Sequence, residues 1–107
     1  AAPADALVLP MTETIAPAVA LSESLRQAGL RVQLYSEKKK FKQKMAYANK
    51  LGVPFAVLLG EDEIAAGKCS VKNMQTGEQR LLTPAEAAEW VREELRKAEN
   101  LPMILEK

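Results

Sequence analysis

Three consecutive acids, Glu61, Asp62 and Glu63, follow an apolar run and a glycine, and two cations, Lys68 and Lys72, come soon after, in a chain with no histidine. Several chemistries use carboxylates grouped in this way. As metal ligands they call for further oxygen donors or a histidine nearby in sequence, and neither is at hand. As a general acid and base they call for a nucleophile or a substrate pocket, for which the sequence offers no candidate. Surface charge after a strand asks for nothing more. Base recognition is the sharpest reading: a carboxylate accepts from the exocyclic amine of cytosine, or from the N1 and N2 protons of guanine, as no cation can.

A second group is cationic. Lys38, Lys39, Lys40, Lys42, Lys44 and Lys50 fall within thirteen residues that contain no acid. Such a run is either a solvated helix face or a surface for a polyanion, whose phosphates would release counterions on contact. In the stretch 68–72, Lys68, Ser70 and Lys72 share one face of an expected strand, and Cys69 and Val71 the other. The overall charge of +1 conceals the asymmetry: residues 38–80 carry nine basic and four acidic groups, and the flanking stretches are each net −2. Phe41 and Tyr47 are candidate stacking platforms, although Phe41 lies on an apolar stripe and is expected in the core. Trp90 is expected to pack.

With 107 residues, 48% of them apolar and 27% charged, the composition suits one globular domain with one core. The expected domain is the whole chain, with a core over residues 6–98 and a tail over 99–107. No apolar run approaches the roughly 20 residues of a membrane helix. Cys69 is the single cysteine, so neither an internal disulfide nor a multi-cysteine metal site can form, and a reducing, cytoplasmic setting is expected. The chain begins Ala1-Ala2-Pro3, which reads as a piece of a longer protein.

The elements that must position these groups follow from periodicity. Ala6 to Leu9 is continuously apolar, as a strand covered on both faces is. Ile15, Val19, Ser22, Leu25 and Ala28 repeat at helical spacing, with Pro17 in the first turn and Gly29 as the stop. Arg31 to Tyr35 alternates, Ser36 is a candidate cap, and Phe41, Met45, Ala48 and Leu51 form a second helical stripe ended by Gly52. Val53 to Leu59 is a third strand. The order strand, helix, strand, helix, strand implies an α/β fold with a right-handed parallel core. A short turn-like segment to Gly67, a hairpin of Lys68–Asn73 and Gln79–Leu82 turning at Met74–Glu78, and a last helix follow. That helix opens on the capping box Thr83-Pro84-Ala85-Glu86 and buries Ala87, Val91, Leu95 and Ala98.

In an open α/β sheet the loops after parallel strands emerge on one edge. Met11–Thr14, Ser36–Lys40 and Glu61–Glu63 should therefore meet, bringing hydroxyls, ammonium groups and carboxylates together. Such a rim suits single-stranded RNA with splayed bases. A flavodoxin-like small-molecule binder is the rival, but Pro10-Met11-Thr12-Glu13 offers no glycine-rich phosphate loop.

Fragments spread over residues 7–95 resemble the anticodon-binding domain of class II aminoacyl-tRNA synthetases. They are Leu25-Arg26-Gln27-Ala28-Gly29-Leu30-Arg31-Val32, then Phe41-Lys42-Gln43-Lys44-Met45 with Tyr47-Ala48-Asn49-Lys50, and Gly52-Val53-Pro54. Gly60-Glu61-Asp62-Glu63 with Gly67-Lys68 is similar to the threonine and proline enzymes. Val71-Lys72-Asn73-Met74 with Thr76-Gly77-Glu78-Gln79 looks most like the histidine enzymes.

The resemblance implies a three-layer α/β/α sandwich on a five-stranded mixed sheet, order 2-1-3-4-5 with strand 4 antiparallel. It implies docking of a tRNA anticodon loop, that of histidine tRNA. Aminoacylation would be carried out by a separate ATP-using catalytic domain in a homodimeric parent, so that no cofactor is expected in this domain. A ligase-like regulatory domain that no longer serves charging is the alternative. In the related threonine enzymes the positions matching Glu63 and Lys72 contact anticodon bases; Glu61 follows by proximity, and the position of Lys38 does so there as asparagine. An arginine contact falls on Ala46, which cannot make it, so base preference should differ. Lys40 and Lys42 from the cationic run and Lys68 from the basic strand complete the expected RNA-binding set.

Overall fold

The computed structural model describes the backbone of residues 2–105 and the side chains of residues 2–99. Its elements are β1 (Ala6–Pro10), α1 (Ala16–Gln27), β2 (Val32–Leu34), α2 (Phe41–Leu51), β3 (Phe55–Leu59), α3 (Glu61–Ala66), β4 (Cys69–Asn73), β5 (Gln79–Leu82) and α4 (Pro84–Leu105). The strands form one sheet in the order β2-β1-β3-β4-β5, with β1 parallel to β2 and β3, and β4 antiparallel to both its neighbours. This is the mixed sheet that the resemblance implies.

Alternation across the pleat divides the core in two. Ala6, Val8, Phe55, Val57, Cys69 and Val71 face α1 and α4, whereas Leu7, Leu9, Ala56 and Leu58 face α2. Every residue of β1 and β3 is buried because both faces are covered, which explains their continuous apolar runs. Trp90 seals the α4 side, edge-on to Phe55 with ring centroids 5.4 Å apart. Buried Ser22 satisfies its hydroxyl by donating to the Ala18 carbonyl at 2.8 Å, so a polar residue sits in the α1 stripe without an orphan group.

Several boundaries and stripes differ from expectation. The buried face of α1 runs through Ala18, Leu21, Ser22 and Leu25. Ile15 and Val19 remain exposed, because the small Ala18 brings the helix down on its own side and leaves the bulkier pair on the flank. Ser36 does not cap α2; the chain stays open to Lys40, whose N–H donates to the Gln43 Oε1 at 3.2 Å. The segment after Gly60 is a helix rather than a turn. Ala98 is exposed on α4, and the helix continues to Leu105 through most of the stretch read as a tail. The last helix does open as expected, with Thr83 N–H donating to Glu86 Oε1 at 3.0 Å and Glu86 N–H to Thr83 Oγ1 at 3.2 Å.

Candidate nucleic-acid interface

The strand order places a change of direction between β1 and β3: the chain leaves β1 toward β2 on one side, and leaves β3 toward β4 on the other. A crevice opens at such a point, beyond the carboxyl ends of the strands. Here the Met11 N–H donates to the Leu59 carbonyl at 2.9 Å and pins the first turn of one loop to the end of the other. An open groove of about 500 Å³ results, lined by Met11, Thr12, Glu13, Lys38, Lys39, Lys44 and Glu61. A smaller recess continues beneath Thr14, Ser36 and Glu37. All three loops expected to meet do so, bringing hydroxyl, ammonium and carboxylate groups to one border.

The cations differ in their surroundings. Lys38, Lys39, Lys40 and Lys42 are exposed, and the five ion pairs among the described residues involve none of them. Lys44 is the opposite case: it is 7% exposed and donates to the Pro10 carbonyl, with Met11 Sδ at 3.8 Å and the Tyr35 ring centroid at 6.0 Å. Loss of water around it pushes its pKa below the usual lysine value. Lys44 thus forms the floor of the groove and ties α2 to the end of β1. It departs from the solvated or phosphate-facing run in which the sequence places it, and its spacing to Ala48 and Leu51, four and seven residues on, is the signal that sets it apart.

The acids also divide. Glu61 and Asp62 are exposed at the start of α3, where carboxylates favour the positive end of a helix. Glu63 turns back, and its Oε1 accepts the Gly60 N–H at 2.5 Å. A Cβ at position 60 would lie 2.8 Å from that oxygen, so glycine permits the closure. One Glu63 oxygen therefore serves the helix start, and of the three acids of α3 Glu61 is the one that lines the groove, with Glu13 of the first loop beside it. Among the described residues, no group of three or more His, Cys, Asp or Glu side chains is placed to hold a metal ion.

Lys72 and Lys68 part company. Lys72 pairs in register with Ala56 on one side and Gln79 on the other. It lies three residues below the end of β3, about 10 Å down the sheet at some 3.3 Å per residue, on the face that α2 covers only in part. Beside it Gln79 Nε2 donates to Ser70 Oγ at 2.7 Å, and Leu81 is exposed. Lys68, just ahead of β4, instead borders an apolar hollow on the α1 and α4 side with Pro17, Leu21, Ile64 and Pro84. Hydrogen bonds from the Thr83 backbone and hydroxyl partners hold the Glu86 carboxyl below its ordinary range, and the Lys68 charge adds to the effect. The expected common face of Lys68, Ser70 and Lys72 thus fails at Lys68, which precedes the strand and is not bound by its alternation.

The aromatics also depart from expectation. Phe41 is 49% exposed and so lies outside the core. Tyr35 is buried and Tyr47 leans on it, with ring centroids 5.1 Å apart.

Comparison with known proteins agrees with this architecture. Residues 5–94 match the family described as "Anticodon binding domain". The chain is 52% identical over 68 residues to the histidine–tRNA ligase of Porphyromonas gingivalis, covering 64% of this chain and 15% of that protein. It superposes on the crystal structure of histidyl-tRNA synthetase from Nostoc sp. PCC 7120 with a TM-score of 0.81 at 38% identity, over 87% of this chain and 23% of that one. The RNA binding domain of threonyl-tRNA synthetase from Cryptosporidium parvum shares the fold, with a TM-score of 0.76 at 22% identity over 83% of this chain and 23% of that one. The chain spans about a fifth or less of the length of the curated relatives it matches.

Proposed function

Since the chain belongs to the anticodon-binding domain family and is similar to that part of the histidine–tRNA ligases, we propose that it recognises the anticodon loop of a tRNA, that of histidine tRNA. The observation that carries the reading is the groove in which Lys38 and Lys39 share a lining with Glu61. Unpaired ammonium groups attract phosphate, and an exposed carboxylate beside them accepts from base edges that phosphate-binding cations cannot read. Met11, 36% exposed in the same lining, supplies an apolar surface for a base.

In this reading Lys38, Lys40 and Lys42 hold the backbone of the loop, while Glu61 and Lys72 read bases. Glu63 acts chiefly through α3, by fixing the turn from which Glu61 projects, and its second oxygen is left for a base donor. Lys68 contributes long-range attraction from the neighbouring layer. The parent protein is an ATP-dependent histidine–tRNA ligase and a homodimer. Activation and transfer belong to its catalytic domain, and no step of that chemistry falls to residues of this chain.

Titration with a histidine anticodon stem-loop and with unrelated stem-loops at two salt concentrations tests the proposal. Affinity should fall steeply with salt, with a slope that reports the number of phosphates neutralised. Glu61→Ala should reduce the preference for the histidine loop by about tenfold, since each base contact is worth roughly 1–3 kcal/mol of discrimination. Lys42→Ala should weaken all loops alike and reduce the salt slope by about 1. Equal binding of every loop by the unaltered protein would contradict the anticodon reading.

A further inference from the structure

Phe41 is the first residue of α2 and continues the stripe of Met45 and Ala48, yet it is 49% exposed whereas Ala48 is fully buried. The helix runs antiparallel to the strands, so its first turn stands over the carboxyl ends of β1 and β3, which finish at Pro10 and Leu59. Ala48 packs with Leu7, Leu9, Ala56 and Leu58, whereas Phe41 belongs to neither buried cluster. Phe41 comes two residues after Lys39, which lines the groove, so the exposed ring neighbours that border without itself lining the groove.

Its neighbours narrow what can cover it. Lys39, Lys40 and Lys42 are exposed, none belongs to an ion pair among the described residues, and residues 38–50 contain no acid. Ile15, which lines the recess beside the groove, Val19 on α1 and Ile64 on α3 are also exposed but aliphatic, so none of the three offers a flat ring. A flat apolar ring within an unneutralised cationic stretch fits a partner that presents negative charge and flat apolar faces together. Unpaired nucleotides do both, and every base has a face that stacks.

Building on the anticodon-loop reading above, we propose that Phe41 is a stacking platform for an unpaired base of the bound RNA, with Lys39, Lys40 and Lys42 holding the phosphates on either side of that base. Tyr47 cannot serve as a free platform in the same way, because its ring already packs against Tyr35. Stacking is tolerant of base identity, so Phe41 contributes affinity to any loop of suitable shape, and Glu61 provides discrimination.

The test compares Phe41→Leu, Phe41→Ala and Phe41→Trp in titrations with the same stem-loops, alongside thermal unfolding of each variant. Stacking predicts about tenfold weaker binding for Leu and Ala, on every loop, and affinity within about twofold of the original for Trp. The new indole in Phe41→Trp should be quenched on adding RNA, and less so with a loop carrying an abasic site at the stacked position. Leu retains apolar bulk but no π-face, so undiminished binding by Phe41→Leu would overturn the stacking role while leaving the anticodon reading intact. An unquenched indole on bound RNA would overturn it equally. Absence of RNA binding by the unaltered protein would overturn both.

Discussion

Buried Lys44 donates a hydrogen bond to the carbonyl of Pro10, linking the second helix to the last residue of the first strand. The contact sits beneath the groove and fixes the relative positions of the loop at Met11–Thr14 and the loop at Ser36–Lys40. A charge there is costly to bury, yet removing it leaves a carbonyl without its partner, and the second effect is the larger. Lys44→Met should therefore destabilise the fold by about 1–3 kcal/mol at neutral pH, measured by denaturant unfolding.

The same lysine gives a pH signature. Its folded-state pKa lies below the unfolded value of 10.5, so between those two values the unfolded chain binds more protons and stability rises with pH. The stability of the original protein relative to Lys44→Met should therefore increase as pH approaches 10.5. A constant difference between pH 8 and pH 10, roughly the accessible window, would show that the ammonium is not desolvated.

Cys69 acts in the opposite direction at alkaline pH. Burial, with a smaller contribution from Glu63, pushes its thiol from 9.0 up to about 12. The folded state then keeps a proton that the unfolded chain loses, so this stabilisation is complete below pH 9 and declines above it. The slope should approach 1.4 kcal/mol per pH unit, an order-of-magnitude figure. Cys69→Ala should lack that part of the decline while retaining whatever the buried Tyr35 phenol contributes, since burial raises that group as well. Parallel alkaline unfolding curves for the two proteins would count against it.

Thr83 and Glu86 cap α4 reciprocally. Thr83→Ala should cost about 1 kcal/mol, the usual value of an N-terminal cap. It should also remove a share of the acid sensitivity, because the Glu86 carboxyl is held below its ordinary range by Thr83. That stabilisation is present above the unfolded carboxyl pKa and is lost as pH falls through the folded one. In acid titrations the gap between the two proteins should narrow as pH falls but not close, because the Thr83 hydroxyl still accepts the Glu86 N–H when the carboxyl is protonated, and the Thr83 N–H contact to the carboxyl is kept in both.

At the end of β4, Asn73 Oδ1 accepts the N–H groups of Gln75 and Thr76 at 2.9 and 3.1 Å, holding the turn that sets Lys72 against Gln79. Asn73→Ala should cost about 1–3 kcal/mol, because two donors lose a largely buried acceptor. It should also weaken RNA binding more at high temperature than at low, since the hairpin loosens before the rest of the sheet. Unchanged unfolding would remove the turn from this account.

The fold was legible where one-dimensional rules suffice. Continuous apolar runs gave β1 and β3, Gly29 and Gly52 gave helix ends, and the Thr83 to Glu86 spacing gave the start of α4. Parallel order alone then required the three loops to meet. What escaped depends on where elements end and how far side chains reach. Phe41 follows the right period, but no periodicity says that the buried part of α2 begins only at Lys44. Lys44 shows the converse, since a four-carbon stem can carry a charge to a buried carbonyl that lies 34 residues away in sequence. Glu63 is carried over from the related threonine enzymes and Lys68 from an expected strand face shared with Ser70 and Lys72; no one-dimensional rule shows that a Glu63 oxygen closes its own helix start or that Lys68, just ahead of β4, borders the opposite layer.

The proposed function holds RNA at the border formed by the loops after β1, β2 and β3. Backbone amide shifts followed by NMR during addition of a histidine anticodon stem-loop address it most directly. Perturbations should concentrate at residues 11–14, 38–44 and 60–63, with a weaker set around Lys72. Shifts confined to the surface between Gly29 and α4, at the far edge of the sheet, would contradict it.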